Sequence, residues 1–134
     1  QNYAIKLLEP NRVKKARAAI EKHYNWQRER YGNAFKNMGL GVYTGKGGFY
    51  HWLELPKGLT SKQLNERLFK RGAAILSAFE CDMARPHIKD TKYKSPYERF
   101  FRFSFGPLLP EAFETDIDLF RDVYEAYKNE MGIK

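Results

Sequence analysis

Arg102 is the residue of this chain whose surroundings most need a chemical explanation. It stands in the stretch Y-E-R-F-F-R-F-S-F-G, Tyr97 to Gly106, with Phe100 and Phe101 before it and Phe103 and Phe105 after it. An extended segment alternates its side chains, so Phe101, Phe103 and Phe105 share one face and Phe100, Arg102 and Ser104 the other. A planar guanidinium among phenylalanines can be met by an acidic side chain of its own domain. It can also reach water by laying its stem along the sheet, or take the carboxylate or phosphate of an anionic ligand. The pattern leaves these outcomes open.

Other reactive residue types give weaker signals. His51 falls on the apolar face of a predicted strand and reads as a hydrogen-bonded core histidine, and His23, His87 and Cys81 stand at no metal-ligand spacing to it, so no metal site is expected. Cys81, the single cysteine, has no histidine arranged in sequence to activate it and reads as an ordinary thiol. Arg85, His87, Lys89, Lys92 and Lys94 make Phe79 to Ser95 a long basic loop interrupted by Pro86, read as solvated surface in preference to a phosphate site.

Composition bounds what must position these residues. A chain of 134 residues, 43% hydrophobic and 16% aromatic, is long enough to bury a core as a single domain over residues 1–134 and too aromatic to be disordered. No apolar run reaches the length of a signal peptide or membrane span, so a cytoplasmic protein with no membrane partner is expected. The formal charge of +8 admits an anionic partner without identifying one.

Gln1 to Glu9 reads as a lead-in strand or arm. Pro10 suits a first helical turn, and Val13, Ala16, Ile20, Tyr24, Gln27, Tyr31, Ala34 and Met38 recur at helical steps before Gly39, predicting a long helix over about 10–38. At about 1.5 Å per residue it would be roughly 40 Å long, more than the width of a compact domain, so part of it would serve something outside. A break near Tyr24-Asn25 or at Gly32 would instead give two ordinary helices.

A sheet-and-helix sandwich follows over about 40–131. Leu40 to Thr44 and Phe49 to Leu55 read as strands around G-K-G-G, the second with apolar bulk on both faces and so either central or covered on both sides. Thr60 opens a capping box for a helix with Leu64, Leu68 and Phe69 inward, ending at Gly72. Ala73 to Ser77 is a short buried strand, and after the Arg102 strand comes a helix striped by Phe113, Ile117, Phe120, Tyr124, Tyr127 and Met131. The expected fold class is α+β: a two-layer sandwich with a small, mostly antiparallel sheet and helices on one face, preceded by the long helix. The other sheet face is left for a partner or ligand.

Within this frame, G-K-G-G-F-Y-H-W-L-E-L-P (Gly45 to Pro56), K-R-G-A-A-I-L-S (Lys70 to Ser77) and F-R-F-S-F-G (Phe101 to Gly106), followed by an amphipathic helix, resemble the C-terminal small domain of class I/II aminotransferases. Those are pyridoxal-phosphate (PLP) enzymes of fold type I, and W-Q-R-E-R-Y (Trp26 to Tyr31) resembles their interdomain helix. The resemblance runs from about Pro10 to Tyr127 and rests on the order and spacing of loose motifs. It implies that Arg102 binds the substrate carboxylate through a bidentate pair. It also implies that the long helix reaches a large domain.

The family's cofactor-binding lysine, its aspartate for the pyridine nitrogen and its phosphate-holding residues belong to that large domain, and nothing in this sequence resembles them. Lys62 falls at a helix start and Lys94 in a loop, and S-A-F-E-C-D-M (Ser77 to Met83) departs from the proline- and glycine-rich turn of many relatives. The chain is therefore expected to hold no catalytic, cofactor-binding or metal residue and not to transaminate alone; PLP is expected for an intact parent enzyme. Its implied partner is a missing large domain, in the same or a separate chain, or a homodimer partner. A free-standing, non-catalytic module that binds a protein or small carboxylate is the alternative. A nucleic-acid binder is disfavoured, because Gly48 replaces the aromatic that RNA-recognition sheets place after Lys-Gly.

Overall fold

A computed structural model of the chain describes residues 2–89 and 92–133, so Gln1 of the expected arm and residues 90–91 of the basic loop lie outside the described residues. Asn2–Leu7 (α1) and Pro10–Asn37 (α2) are helical, followed by strands Gly41–Tyr43 (β1) and Tyr50–Glu54 (β2). Ser61–Phe69 (α3), Leu76–Ser77 (β3), Phe100–Ser104 (β4) and Phe113–Glu130 (α4) complete the order. The four strands form one antiparallel sheet in the order β1-β2-β4-β3, which makes β2 and β4 central.

The lead-in segment is helical, contrary to the strand or arm expected. With no sheet edge beside it, its backbone groups are satisfied only by local bonds, ending with Leu8 N–H donating to the Ile5 carbonyl at 3.2 Å. α2 is one continuous helix, broken neither at Tyr24-Asn25 nor at Gly32. Gly32 is tolerated in mid-helix because the sheet comes close there: a Cβ on it would lie 3.2 Å from His51 Cε1. Of the expected stripe only Gln27 and Tyr31 are fully buried, joined by Phe35, which the stripe did not include, while Ala34 and Met38 are half-buried and Ile20 is 55% exposed. The N-terminal half runs clear of the core.

All three long helices cover one face of the sheet. His51, Leu53, Phe101 and Phe105 point into that layer, where Phe35 meets Phe103 at 4.8 Å and Phe120 at 5.1 Å between ring centroids. α2 is fastened to the segment before α4 by Gln27 Nε2 donating to the Leu108 carbonyl at 3.1 Å, and to α4 by the Tyr31 hydroxyl donating to Asp116 at 2.9 Å. Burial, then that hydrogen bond, push the Tyr31 phenol well above its ordinary range. Thr60 caps α3 as its sequence requires, its hydroxyl accepting from Gln63 N–H at 3.4 Å.

Several expected core positions lie at element ends and are exposed instead. Phe69 closes α3 at 73% exposure and Met131 follows α4 at 48%, beyond the turns that face the sheet. Phe49, the first residue of the expected second strand, precedes β2, is half exposed and packs its ring on Gly106, where a Cβ would stand 2.8 Å from it. Of Ala73 to Ser77 only Leu76–Ser77 pair as a strand, and Leu76 is exposed. The basic loop is folded: Asp82 is buried and accepts from the Tyr93 hydroxyl at 2.7 Å and from Ala84 N–H at 3.1 Å. Hydrogen bonds from Ser95 and Tyr93 hold its carboxyl below the usual range, and Cys81 beside it is exposed.

Candidate functional site

Strand alternation sends Tyr50, Trp52 and Glu54 of β2, Phe100, Arg102 and Ser104 of β4, and Tyr43 and Leu76 of the flanking strands to the face that no helix covers. The register aligns Tyr43, Trp52, Arg102 and Leu76 in one row across the sheet. Trp52 stacks on Phe100 with centroids 6.1 Å apart, and Tyr97 meets both edge-on at 6.5 and 6.4 Å. The result is an aromatic surface, half open to solvent, with one row of mixed chemistry through its middle.

The two arginines of R-F-F-R have opposite fates. Arg99 pairs with Glu54 and donates to the Leu55 carbonyl at 2.8 Å, while the Glu54 carboxylate also accepts the Tyr43 hydroxyl at 2.7 Å. That acid is therefore spent. Arg102 is exposed, its guanidinium carbon 5.3 Å from the Tyr50 ring, and no described carboxylate lies within 4.0 Å of it. Its direct cross-strand partners are Trp52 and Leu76, which offer no counter-charge. Of the outcomes open from sequence, an ion pair within the described residues is absent, and the cation lies over the sheet within reach of a ligand.

Trp52 is the wall between two hollows. One, of about 590 Å³, is lined by Trp52, Cys81, Asp82, Met83, Ala84 and Tyr97. The other, of about 410 Å³, lies between Trp52, Tyr43, Tyr50 and the turn at Gly45 and Gly47. From sequence Trp52 reads as a core or interface anchor, and Tyr43, Tyr97 and Met83 carry no signal of their own. The strand alternation could have placed Tyr43 beside Trp52; Met83 and Tyr97 reach the face from the loop and carried no periodic signal.

The other reactive residues do not join this site. His51 is buried on the opposite face, with Nε2 3.0 Å from the Arg28 carbonyl, and burial lowers its pKa to about 4. It is a neutral core histidine. Among the described residues no group of three or more His, Cys, Asp or Glu could hold a metal, and no helix is long and apolar enough to cross a membrane. Every described lysine is exposed except the half-buried Lys128, whose Nζ lies 3.2 Å from Glu125, and no lysine lines either hollow at Trp52. The described residues therefore do not fit PLP, which needs a sequestered lysine with an acid and phosphate donors around it.

A four-stranded antiparallel sheet with helices on one face, a projecting helix and an arginine without a carboxylate partner among the described residues on its open face define an α+β sandwich. No family model and no curated protein matches the sequence. Solved structures do. Pyrococcus protein A1 is 26% identical with a TM-score of 0.73, the match covering 93% of this chain and 29% of that one. Valine–pyruvate aminotransferase AvtA of Salmonella typhimurium is 15% identical with a TM-score of 0.72, covering 93% and 32%. Kynurenine aminotransferase of Pyrococcus horikoshii is 20% identical with a TM-score of 0.67, covering 91% and 28%. The chain thus spans about 30% of the length of the structures it matches, and its fold is that of the aminotransferase small domain its sequence resembles.

Proposed function

We propose that this chain is the small domain of an aminotransferase-like protein, with Arg102 as the anchor for a substrate carboxylate and the cofactor supplied by a large domain in the same or a separate chain. The observation that carries this reading is the Arg102 guanidinium on an open sheet face without a carboxylate partner among the described residues; the sequence resemblance implies that this is the family's carboxylate-binding arginine. Two solved matches act in the same direction: the P. horikoshii enzyme was crystallised with PMP, and a Thermus thermophilus α-aminoadipate aminotransferase with a phosphopyridoxyl-leucine adduct. The projecting part of α2, where Ile20 on the apolar stripe is 55% exposed, supports a covering partner on a second surface. When bound to the whole protein, PLP would supply the electron sink for amino-group transfer. This chain's own part is to hold and orient the carboxylate.

The test is to incubate the chain with PLP, reduce with borohydride and measure intact mass and modified positions, with sedimentation on the same sample. The expected result is scattered labelling of surface lysines, no amino-group transfer, and self-association through the uncovered surfaces. One lysine taking a stoichiometric adduct would overturn the reading. A strict monomer at high concentration would favour the free-standing binding module.

A further inference from the structure

We infer that the groove between β3 and α4 receives α1 of a second copy of this chain, so that the protein associates by arm exchange. The association needs neither Arg102 nor a cofactor. Three features of the molecule meet in it: an apolar arm with no cover, an apolar groove with no occupant among the described residues, and opposite charge on the two.

α1 is a helix of six residues, too short to hold in water on its own propensity. Tyr3, Ile5, Leu7 and Leu8, on it and at its end, are 57–88% exposed and spread around more than half of its circumference. A helix of that pattern is ordinarily buried. Its own core is out of reach, because the first fully buried residue of α2 is Gln27, which sets α1 roughly 25 Å away along a continuous helix at about 1.5 Å per residue. In a solution of this chain the cover is therefore a second copy.

β3 pairs with β4 through Leu76 and Ser77 alone, so Ala73 to Ile75 part from Phe103 and Ser104 and leave a groove of about 390 Å³ against α4. Leu68, Ala73, Phe103, Leu108, Leu119 and Phe120 give it a largely apolar wall. An apolar cavity of about 150 Å³ holds one benzene, so the groove has room for two or three side chains such as Ile5, Leu7 and Leu8.

Charge selects this pairing over others. Residues 2–25 hold six basic and two acidic residues, half of the chain's net +8, and none of them is ion-paired among the described residues. Residues 110–122, which lead into and open α4, hold five acids and one arginine. Asp116 lines the groove, and the exposed Asp122 follows Leu119 by three positions on the same side of the helix. The one cation among the lining residues, Arg102, extends over Tyr50 on the open face of the sheet. Arm and groove wall thus attract, whereas two arms side by side would repel.

The experiment follows association of the full chain by sedimentation equilibrium and locates the contact by NMR with a spin label. A Tyr3→Cys, Cys81→Ser chain carrying the label is mixed with isotope-labelled chain of native sequence; Cys81 is the single cysteine and is exposed. The amides of Ala74, Ser104 and Leu119 in the native chain should broaden. Ile5→Ala and Leu8→Ala change exposed positions and should each weaken association by about tenfold or more. Asp122→Lys should weaken it severalfold, as should raising salt from about 0.05 to about 0.5 M. Association that survives Ile5→Ala combined with Leu8→Ala, or broadening confined to the open sheet face around Trp52, would overturn the arm exchange and leave the small-domain reading standing. Association that tightens as salt rises would overturn it too, and so would a chain that stays monomeric at its highest soluble concentration.

Discussion

Ile20 and Phe35 are both apolar residues of α2 and should respond to truncation in opposite ways. Phe35 is fully buried against Phe103, Phe120 and His51, so Phe35→Ala removes a ring from a closed aromatic layer and should cost about 3–5 kcal/mol. Ile20 is 55% exposed and precedes the buried part of the stripe. Ile20→Ala there loses little burial and gains helix propensity of roughly 0.4 kcal/mol, giving a net change within about 0.5 kcal/mol. For a chain of this length 1 kcal/mol is about 3–5 °C in melting temperature, so Phe35→Ala should fall by 10 °C or more, in the order of magnitude, and Ile20→Ala should hold. The assay is urea and thermal denaturation by circular dichroism on dilute protein. A loss above about 2 kcal/mol for Ile20→Ala would refute the reasoning, because the projecting half of α2 would then be packed in solution.

His51 is neutral in the fold, its pKa lowered to about 4 from 6.5, so the folded state binds fewer protons than the unfolded state between those values. Its stabilising contribution is complete above pH 6.5 and is lost as pH falls toward 4, by at most roughly 3 kcal/mol; denaturation from pH 7 to 5 should show the decline, and His51→Phe should flatten it. Arg99→Ala leaves Glu54 without its ion pair and should cost about 1–2 kcal/mol, whereas Arg102→Ala should change stability by less than about 0.5 kcal/mol in the same urea assay. Equal losses would make Arg102 a structural residue. Ser61 and Ser77 share a buried hydroxyl contact of 2.6 Å, and the Ser61 hydroxyl also donates to the Glu98 carbonyl at 3.0 Å. Ser61→Ala strands both partners and should lower stability by about 1–3 kcal/mol, read from the shift of the urea midpoint.

The legible parts of this chain are those where one period runs long enough to outvote local noise. α4 repeats its apolar stripe over 18 residues, and Ile117, Phe120, Tyr124 and Tyr127 are all buried as the spacing requires. Element ends were not legible, since Phe49 and Phe69 fit the pattern of their segments while the surface they would meet has already turned away. α1 carried too few residues for either period to dominate. The order inside the basic loop depends on Asp82 meeting Tyr93 eleven positions later, a contact no local pattern encodes.

The open face shows how far alternation reaches and what it leaves out. The sequence separates Arg102 from Phe101 and Phe103, but it does not say whether the opposite side of β2 is covered, and it cannot reveal that Glu54 belongs to Arg99. Those facts decide the chemistry. Had an acid stood at position 52 or 76, directly across from Arg102, the cation would be neutralised within the sheet and the face would read as structural. Tryptophan and leucine stand there instead, so the charge of Arg102 is met from outside the sheet, by water in the free chain and, on our reading, by a carboxylate. A bidentate partner gives a planar guanidinium more than water does only if the rest of the ligand also loses solvent.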